Sequence, residues 1–147
     1  MDILKVLTDK RRKGNIGEAG VCKLLKKRRY KILERNFVAN GHEIDIIAKD
    51  REHICFVEVK TRSVDAKNTY GTRPCDAVDL EKRRSIISAA SVYAAMHRGS
   101  GLKFRFDVAE VYINEDKSIR DINYLEGAFS ADSDKKQNST DTKTRKI

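Results

Sequence analysis

Four charged residues stand at alternate positions in two apolar segments of the chain. Glu43 and Asp45 lie among isoleucines in the first segment, and Glu58 and Lys60 lie among valines in the second. Because side chains two residues apart in a strand point to the same face, each pair shares one face of a predicted sheet. An ionised group in a buried strand is costly unless it is paired or bound to a metal. These four residues are therefore the first candidates for chemistry.

The two segments predict a hairpin whose register brings the carboxylates together. If residues 50–53 form the connection, Lys49 pairs with Ile54, and Asp45 then lies opposite Glu58. Two carboxylates that face each other repel and destabilise the sheet. A divalent cation between them would remove the repulsion, and carboxylate oxygens are the ligands that Mg²⁺ prefers, with waters and substrate phosphate completing its octahedron.

The same register predicts that Glu43 lies opposite Lys60 and forms an ion pair with it. Lys60 would also orient an attacking water or offset the charge that builds on a phosphate. A second interpretation stays open, in which Glu43 with Lys60, and Asp45 with a basic neighbour, are ordinary cross-strand ion pairs. A single Glu-x-Lys in a strand is weak evidence for a nuclease.

The elements that must position these residues follow from the periodicity of the chain. The predicted order is αβββαββ, with a helix over 14–29, strands over 30–38, 42–49 and 53–61, a helix over 80–97, and strands over 103–113 and 119–125. Asn15 is expected to cap the first helix and Asp79 the second. A strand meander followed by a right-handed helical crossover predicts an α/β fold, a mixed central sheet with helices on both faces.

Composition divides the chain into three parts. Residues 1–13 are predicted to form a basic N-terminal extension, residues 14–129 one domain, and residues 130–147 a polar tail that we expect to be disordered. Residues 62–78 are predicted to be the longest loop inside the domain, and loops of this length are often functional.

The charge of the chain favours an anionic partner. The net charge is +9, and residues 1–37 carry 12 Lys and Arg against 4 Asp and Glu. Phosphate backbones bind such surfaces in a salt-dependent way, which favours nucleic acid, and DNA before RNA. A solvated basic surface, an acidic protein partner and the ribosome remain alternatives.

Other function classes fit the sequence poorly. No stretch approaches the ~20 apolar residues that cross a bilayer, and the N-terminus lacks the order of a secretory signal, so we expect a cytoplasmic protein that does not enter a membrane. Cys22, Cys55 and Cys75 are widely spaced. That spacing argues against both a disulfide framework and a zinc site.

A family resemblance sharpens these expectations. Asp45, twelve intervening residues and Glu58-Val59-Lys60 resemble the Asp…(Asp/Glu)-x-Lys signature of restriction-endonuclease-like nucleases. The wider pattern resembles the YraN-type family of small bacterial proteins, related in fold to archaeal Holliday-junction resolvases, over roughly residues 14–129. The segments that carry it are Gly17-Glu18-Ala19, Arg35-Asn36, residues 43–48, residues 56–62, Lys82 and residues 105–108.

The resemblance implies a catalytic centre and an activity. Asp45 and Glu58 would bind the metal, Mg²⁺ with Mn²⁺ as a substitute, and Lys60 would be the catalytic lysine. Glu18 would correspond to a helix glutamate at the same centre, although it can also be the acid of a capping box. The implied protein is an endonuclease acting on DNA phosphodiesters, with branched or structured DNA as the substrate. A nucleic-acid-binding module of the same fold without useful turnover is the alternative.

Three basic residues near the predicted centre are candidates for binding the nucleic acid. Arg62 leaves the sheet beside it, and Lys82 and Arg83 lie at a helix start, where cations oppose the helix dipole. Phosphate binding would explain their placement, and a solvated basic turn is the alternative. By analogy with junction resolution, two symmetric cuts would require a homodimer.

Overall fold

The fold was analysed in a computed structural model that describes residues 2–64 and 78–131. Its elements are α1 (Ile3–Lys27), β1 (Lys31–Ala39), β2 (His42–Lys49), β3 (His53–Ser63), α2 (Leu80–Met96), β4 (Lys103–Ile113) and β5 (Ile119–Phe129). The order αβββαββ and the mixed sheet confirm the predicted α/β fold.

All five strands form one sheet in the order β1-β2-β3-β4-β5. Neighbouring strands are antiparallel except β3 and β4, which are parallel and are joined through α2. Lys49 pairs with Ile54 across the β2–β3 hairpin, which confirms the predicted register at its closed end. The last strand, β5, lies at the sheet edge as predicted and continues to Phe129.

Each face of the sheet is covered by one helix, because each helix carries one apolar stripe. The α1 face buries the following residues: Val21, Cys22, Leu25, Ile46, Ala48, Cys55, Val57, Ala109, Val111 and Ile113. The α2 face buries a larger set that includes Ile47, Phe56, Ile86, Ala90, Tyr93, Phe106 and Val108. The central strands β2, β3 and β4 are apolar on both sides, as strands covered on both faces are expected to be.

The first helix is longer than its sequence pattern predicts. It begins at Ile3, and the side chain of Asp2 caps it by accepting a hydrogen bond from the Leu4 N–H. The prediction that Asn15 caps this helix is therefore wrong, and Gly14 lies in the helix interior. A glycine there costs about 1 kcal/mol, which the packing of the following turns against the sheet offsets.

The second helix begins where its sequence predicts, since the Asp79 side chain accepts a hydrogen bond from the Lys82 N–H at 2.8 Å. Most of the predicted loop over 62–78 lies outside the described residues, as does the predicted tail after its first two residues. No helix among the described residues has the length and apolar character needed to span a bilayer.

Candidate metal centre

Asp45 lies where strands β2 and β3 separate. The paired register between these strands runs from Lys49↔Ile54 to Ile46↔Val57. Beyond it, the Asp45 Oδ2 accepts a hydrogen bond from the Val59 N–H at 2.8 Å. The carboxylate thus satisfies a backbone donor, and this contact fixes Asp45 beside Glu58.

Glu58 is a buried acid with incomplete pairing. It is 4% exposed, and burial, followed by the nearby Asp45 carboxylate, raises its pKa to about 8. Lys60 and Lys82 oppose this rise, with their Nζ atoms 3.7 and 3.8 Å from Glu58 Oε1. The other oxygen, Oε2, is buried and receives no hydrogen bond from any donor among the described residues, and the contact with the Asp45 carboxylate favours the protonated form of Glu58. An unpaired buried oxygen of this kind is costly, so the fold maintains Glu58 at the expense of stability.

Glu18 reaches the same place from α1. The preceding residue, Gly17, lets the helix approach the sheet, since a Cβ there would stand 2.0 Å from Thr61 Oγ1. Burial, then the Asp45 charge, raises the pKa of Glu18, while Arg35 at 3.5 Å lowers it. Glu18 is in the middle of α1, so the capping-box interpretation of this residue is wrong.

Asn36 supports the acids from β1, a role that its sequence context does not predict. Its φ of 52° lies in the left-handed region, which few residues other than glycine adopt, and asparagine is among the most tolerant of it. With its amide nitrogen turned toward the carboxylates, Asn36 donates to Glu18 Oε2 at 3.2 Å and to Glu43 Oε1 at 2.8 Å. Backbone strain of this kind clusters at functional sites.

The predicted pairing of Glu43 with Lys60 is wrong. Among the described residues, the ion pair that Lys60 forms is with Glu58 on its own strand, and Glu43 instead contacts Asn36. The reason is the separation of the strands, because the β2–β3 pairs end before they reach these two residues.

The three acids open onto one cleft of about 270 Å³. The residues that line it are Lys10, Lys13, Gly14, Glu18, Asp45, Glu58, Val59, Lys60 and Thr61. The structure therefore brings together all four predicted catalytic residues and adds two lysines from the first turns of α1. Those lysines were missed because the sequence pattern started the helix at residue 14.

Asp45 and Glu58 fit a Mg²⁺ ion as an incomplete ligand set. They are hard oxygen donors, and within residues 2–64 and 78–131 the buried Glu58 Oε2 has no hydrogen-bond partner. Within the described part of the chain, no group of three or more His, Cys, Asp or Glu is arranged to hold a metal. Magnesium typically binds through one or two carboxylates and completes its shell with waters and substrate phosphate, so two ligands suit it.

Comparison with known proteins identifies the family. The model of the uncharacterised protein family UPF0102 matches residues 17–111. A UPF0102 protein of Acetivibrio thermocellus is 42% identical over 125 residues, covering 82% of this chain and 93% of that protein. UPF0102 proteins of Clostridium acetobutylicum and Clostridioides difficile are 43% and 42% identical, covering 79% and 80% of this chain and 92% and 96% of theirs.

This chain belongs to the UPF0102 family. Membership confirms the resemblance to YraN-type proteins. The UPF0102 match includes Glu18, Asp45, Glu58, Lys60 and Lys82, whereas Lys10 and Lys13 precede it.

The three residues predicted to bind nucleic acid have different surroundings in this UPF0102 protein. Lys82 points to Glu58, as described above. Arg62 Nε lies 2.6 Å from an oxygen of Glu110, an acid that is fully buried. Arg83 Nε donates to the Val78 carbonyl at 3.0 Å. Their binding to nucleic acid remains a prediction, but Arg62 and Arg83 each have a contact within the fold.

Asp107, on β4, is a second buried acid, and its contacts are all within the fold. It is fully buried and accepts two hydrogen bonds from Arg105, at 2.8 and 2.9 Å. The Tyr124 hydroxyl and the Gly127 N–H also donate to it, at 2.6 and 2.9 Å. This UPF0102 chain therefore satisfies one buried carboxylate completely and leaves another open to a cleft.

Proposed function

We propose that this protein is a Mg²⁺-dependent endonuclease that hydrolyses DNA phosphodiesters, with Asp45 and Glu58 as the metal ligands. The observation that carries the proposal is the state of Glu58. Its Oε2 is buried beside a second carboxylate and has no hydrogen-bond partner in the part of the chain that the structure describes, at the wall of a cleft lined by lysines. A cation bound there would satisfy this oxygen and cancel the repulsion between the two acids.

The side chains around the cleft have separable roles. A bound Mg²⁺ would supply Lewis acidity and lower the pKa of a water. The Asp45 carboxylate is held in place by the Val59 N–H. Lys60 presents its ammonium group to the cleft, where it can donate to the attacking water or to a phosphate oxygen as charge builds. Glu18 stands on the opposite wall and can accept a hydrogen bond from a water.

Several observations favour DNA as the substrate. The chain carries a net charge of +9, and two lysines of the basic α1 helix line the cleft. We include branched and structured DNA in the proposal because two symmetric cuts on such a substrate can be made by a homodimer, the arrangement that the family resemblance implies. Mn²⁺ is expected to replace Mg²⁺, since it takes the same oxygen ligands.

The experiment is cleavage of a panel of labelled DNAs that covers linear, single-stranded, flap and four-way forms. Each is incubated in Mg²⁺, Mn²⁺ and EDTA with the wild-type protein and with the Glu58→Ala variant. Cutting that requires metal and disappears in the variant supports the proposal. Wild-type protein that binds the DNAs but cuts none of them in either metal contradicts it.

A second candidate is a DNA-binding module that does not turn over. It is favoured by the two-carboxylate ligand set and by the contacts of Lys60 and Lys82 with Glu58, which compensate its charge without a metal. This candidate predicts salt-sensitive DNA binding that Asp45→Asn leaves unchanged or strengthens, together with no metal-dependent cleavage.

A further inference from the structure

The first turns of α1 form one wall of the cleft. Lys10 and Lys13 are three residues apart in the helix, so they lie on the same side, and both line the cleft with Gly14. Lys13 reaches across to the end of β3, where its Nζ donates to Ser63 Oγ at 2.7 Å. Lys10 forms no ion pair with any residue that the structure describes.

Gly14 differs from the other two glycines of α1. A Cβ at Gly17 or Gly20 would collide with Thr61 or Ile119, so helix packing explains both. A Cβ at Gly14 would meet nothing within 4 Å. Glycine inside a helix is destabilising, and no contact among the described residues requires it at Gly14. Its absent side chain leaves open space in the cleft between the two lysines and Glu18.

The charges that line the cleft point to an anionic occupant. Three lysines and three acids line it, so their formal charges balance without a ligand. A divalent cation held by Asp45 and Glu58 leaves the cleft positive. The α1 side is positive with or without the cation, because Lys10 and Lys13 outnumber Glu18, the one acid of that helix among the residues that line the cleft.

We propose that Lys10, Lys13 and Gly14, the α1 wall, form a binding site for the phosphodiester backbone of a DNA strand next to the metal ligands. This inference rests on the proposed function, since the strand that the α1 wall holds is the one presented to Asp45 and Glu58. The two ammonium groups contact successive phosphates, while Gly14 lets the sugar–phosphate chain approach the helix backbone. Lys13 exchanges its Ser63 contact for a phosphate oxygen when the strand binds.

The charge part of the α1 wall is tested by DNA binding in EDTA, where no turnover is needed. A fluorescein-labelled DNA is titrated with the full chain and followed by anisotropy at several salt concentrations. The Lys10→Ala/Lys13→Ala variant should bind DNA about tenfold more weakly than wild type near 0.1 M salt. Its salt slope, the slope of log K against log salt concentration, should be smaller in magnitude by about 1 to 2. The matched control is Lys23→Ala/Lys27→Ala, which removes the same charge from exposed positions of the same helix.

The glycine part is tested by Gly14→Leu, which fills the open space with a residue of high helix propensity. Its urea midpoint should rise while its DNA affinity falls at least fivefold, about 1 kcal/mol of binding. Asn15→Leu, at the adjacent exposed position, should change DNA affinity less than twofold. A side chain at position 14 that stabilises the helix and still lowers affinity is not explained by damage to the fold.

Two results overturn the α1 wall. One is that the lysine variant matches the Lys23→Ala/Lys27→Ala control in DNA affinity and salt slope, and the other is that Gly14→Leu binds DNA as tightly as wild type does. Because both measurements use binding in EDTA, they remain decisive even if the wild-type protein cuts no DNA. Conversely, the protein can cut DNA in a metal-dependent way while the α1-wall variants bind DNA normally. The two proposals can therefore be contradicted separately.

Discussion

Glu58 and Asp107 are buried carboxylates on neighbouring parallel strands, and the chain treats them in opposite ways. Asp107 receives four hydrogen bonds from three residues, and its guanidinium partner Arg105 is itself mostly buried. Glu58 has two lysines near one oxygen, at 3.7 and 3.8 Å, and its other oxygen has no hydrogen-bond partner among the residues that the structure describes. Burial costs both acids their hydration, but the fold compensates only Asp107 with complete pairing.

This difference separates structure from function. A fully satisfied buried acid fixes the strands that supply its donors, since Asp107 ties β4 to β5 through Tyr124 and Gly127. An acid that is left unsatisfied destabilises the folded chain and requires an explanation. Glu58 faces a cleft that a ligand can enter, whereas Glu110, whose oxygens also lack a hydrogen-bond partner among the described residues, is fully buried and lies 2.6 Å from the Arg62 guanidinium. The comparison therefore assigns Asp107 a structural role and supports the proposed role of Glu58 in metal binding, and each role can be tested.

The largest expected effect is on cleavage. Asp45→Ala and Glu58→Ala should each lower the rate on the preferred DNA by about a thousandfold, because each removes a metal ligand and several kcal/mol of charge stabilisation in the transition state. The rate is measured under single-turnover conditions in Mg²⁺. Glu115→Gln, an exposed acid outside the cleft, is the control and should cut as wild type does. If both alanine variants cut DNA at the wild-type rate, Glu58 would have no part in cleavage and would not differ from Asp107 in function.

The next effect is on stability and concerns the other acid. Asp107→Asn should lower the free energy of unfolding by about 3 to 5 kcal/mol, because it leaves the guanidinium of Arg105 without its buried counter-charge. Urea denaturation at pH 7 measures this loss. The folded fraction of the variant should retain metal-dependent cleavage. If Asp107→Asn were as stable as wild type, its network would not be the structural one described here.

Glu58→Gln should raise the free energy of unfolding, the opposite of the change expected for Asp107→Asn. The pKa of Glu58 is about 8 in the folded chain against an ordinary 4.5, so folding favours its neutral form. The stabilisation of the folded chain by neutral Glu58 is fully present below pH 4.5 and is lost as the pH rises through about 8. In EDTA at pH 9 the glutamine variant should therefore be more stable than wild type by about 2 to 4 kcal/mol, a difference that shrinks toward zero near pH 5. Unfolding curves at both pH values measure it, and a glutamine variant that is less stable at pH 9 would contradict the account.

The smallest effect concerns the cations. Lys82 is 40% exposed and 3.8 Å from Glu58, so Lys82→Met should lower the free energy of unfolding by about 1 kcal/mol or less. Arg105→Met should cost at least twice as much, because that guanidinium donates two short hydrogen bonds to a fully buried acid. Urea denaturation of both variants compares them directly. Equal losses of free energy of unfolding would mean that Glu58 and Asp107 are paired with their cations equally strongly.

The sequence predicted the strands and the acids well because their patterns are local. Strands β2 and β4 have the bounds that their sequences predict, and the closed end of the β2–β3 hairpin has the predicted register. Asp45 and Glu58 meet because that register is set by a short connection, which is also a local feature.

Other features depend on tertiary contacts and were not predictable from one sequence. The start of α1 was misplaced because Gly14 resembles a boundary, whereas the helix continues through it. The φ of Asn36 and its contacts with two acids depend on how β1 packs beside α1. Arg62 faces Glu110 because β3 and β4 are parallel, and their register depends on the α2 crossover.

The most direct test of the account is a Mn²⁺ titration of the full chain, followed by calorimetry or by the electron paramagnetic resonance signal of the free ion. The account predicts saturable binding by wild type and by Glu115→Gln, and at least tenfold weaker binding by Asp45→Asn and Glu58→Gln, about 1.4 kcal/mol or more. Binding of Mn²⁺ by Asp45→Asn and Glu58→Gln with the affinity of wild type would contradict the assignment of these two carboxylates as a metal centre.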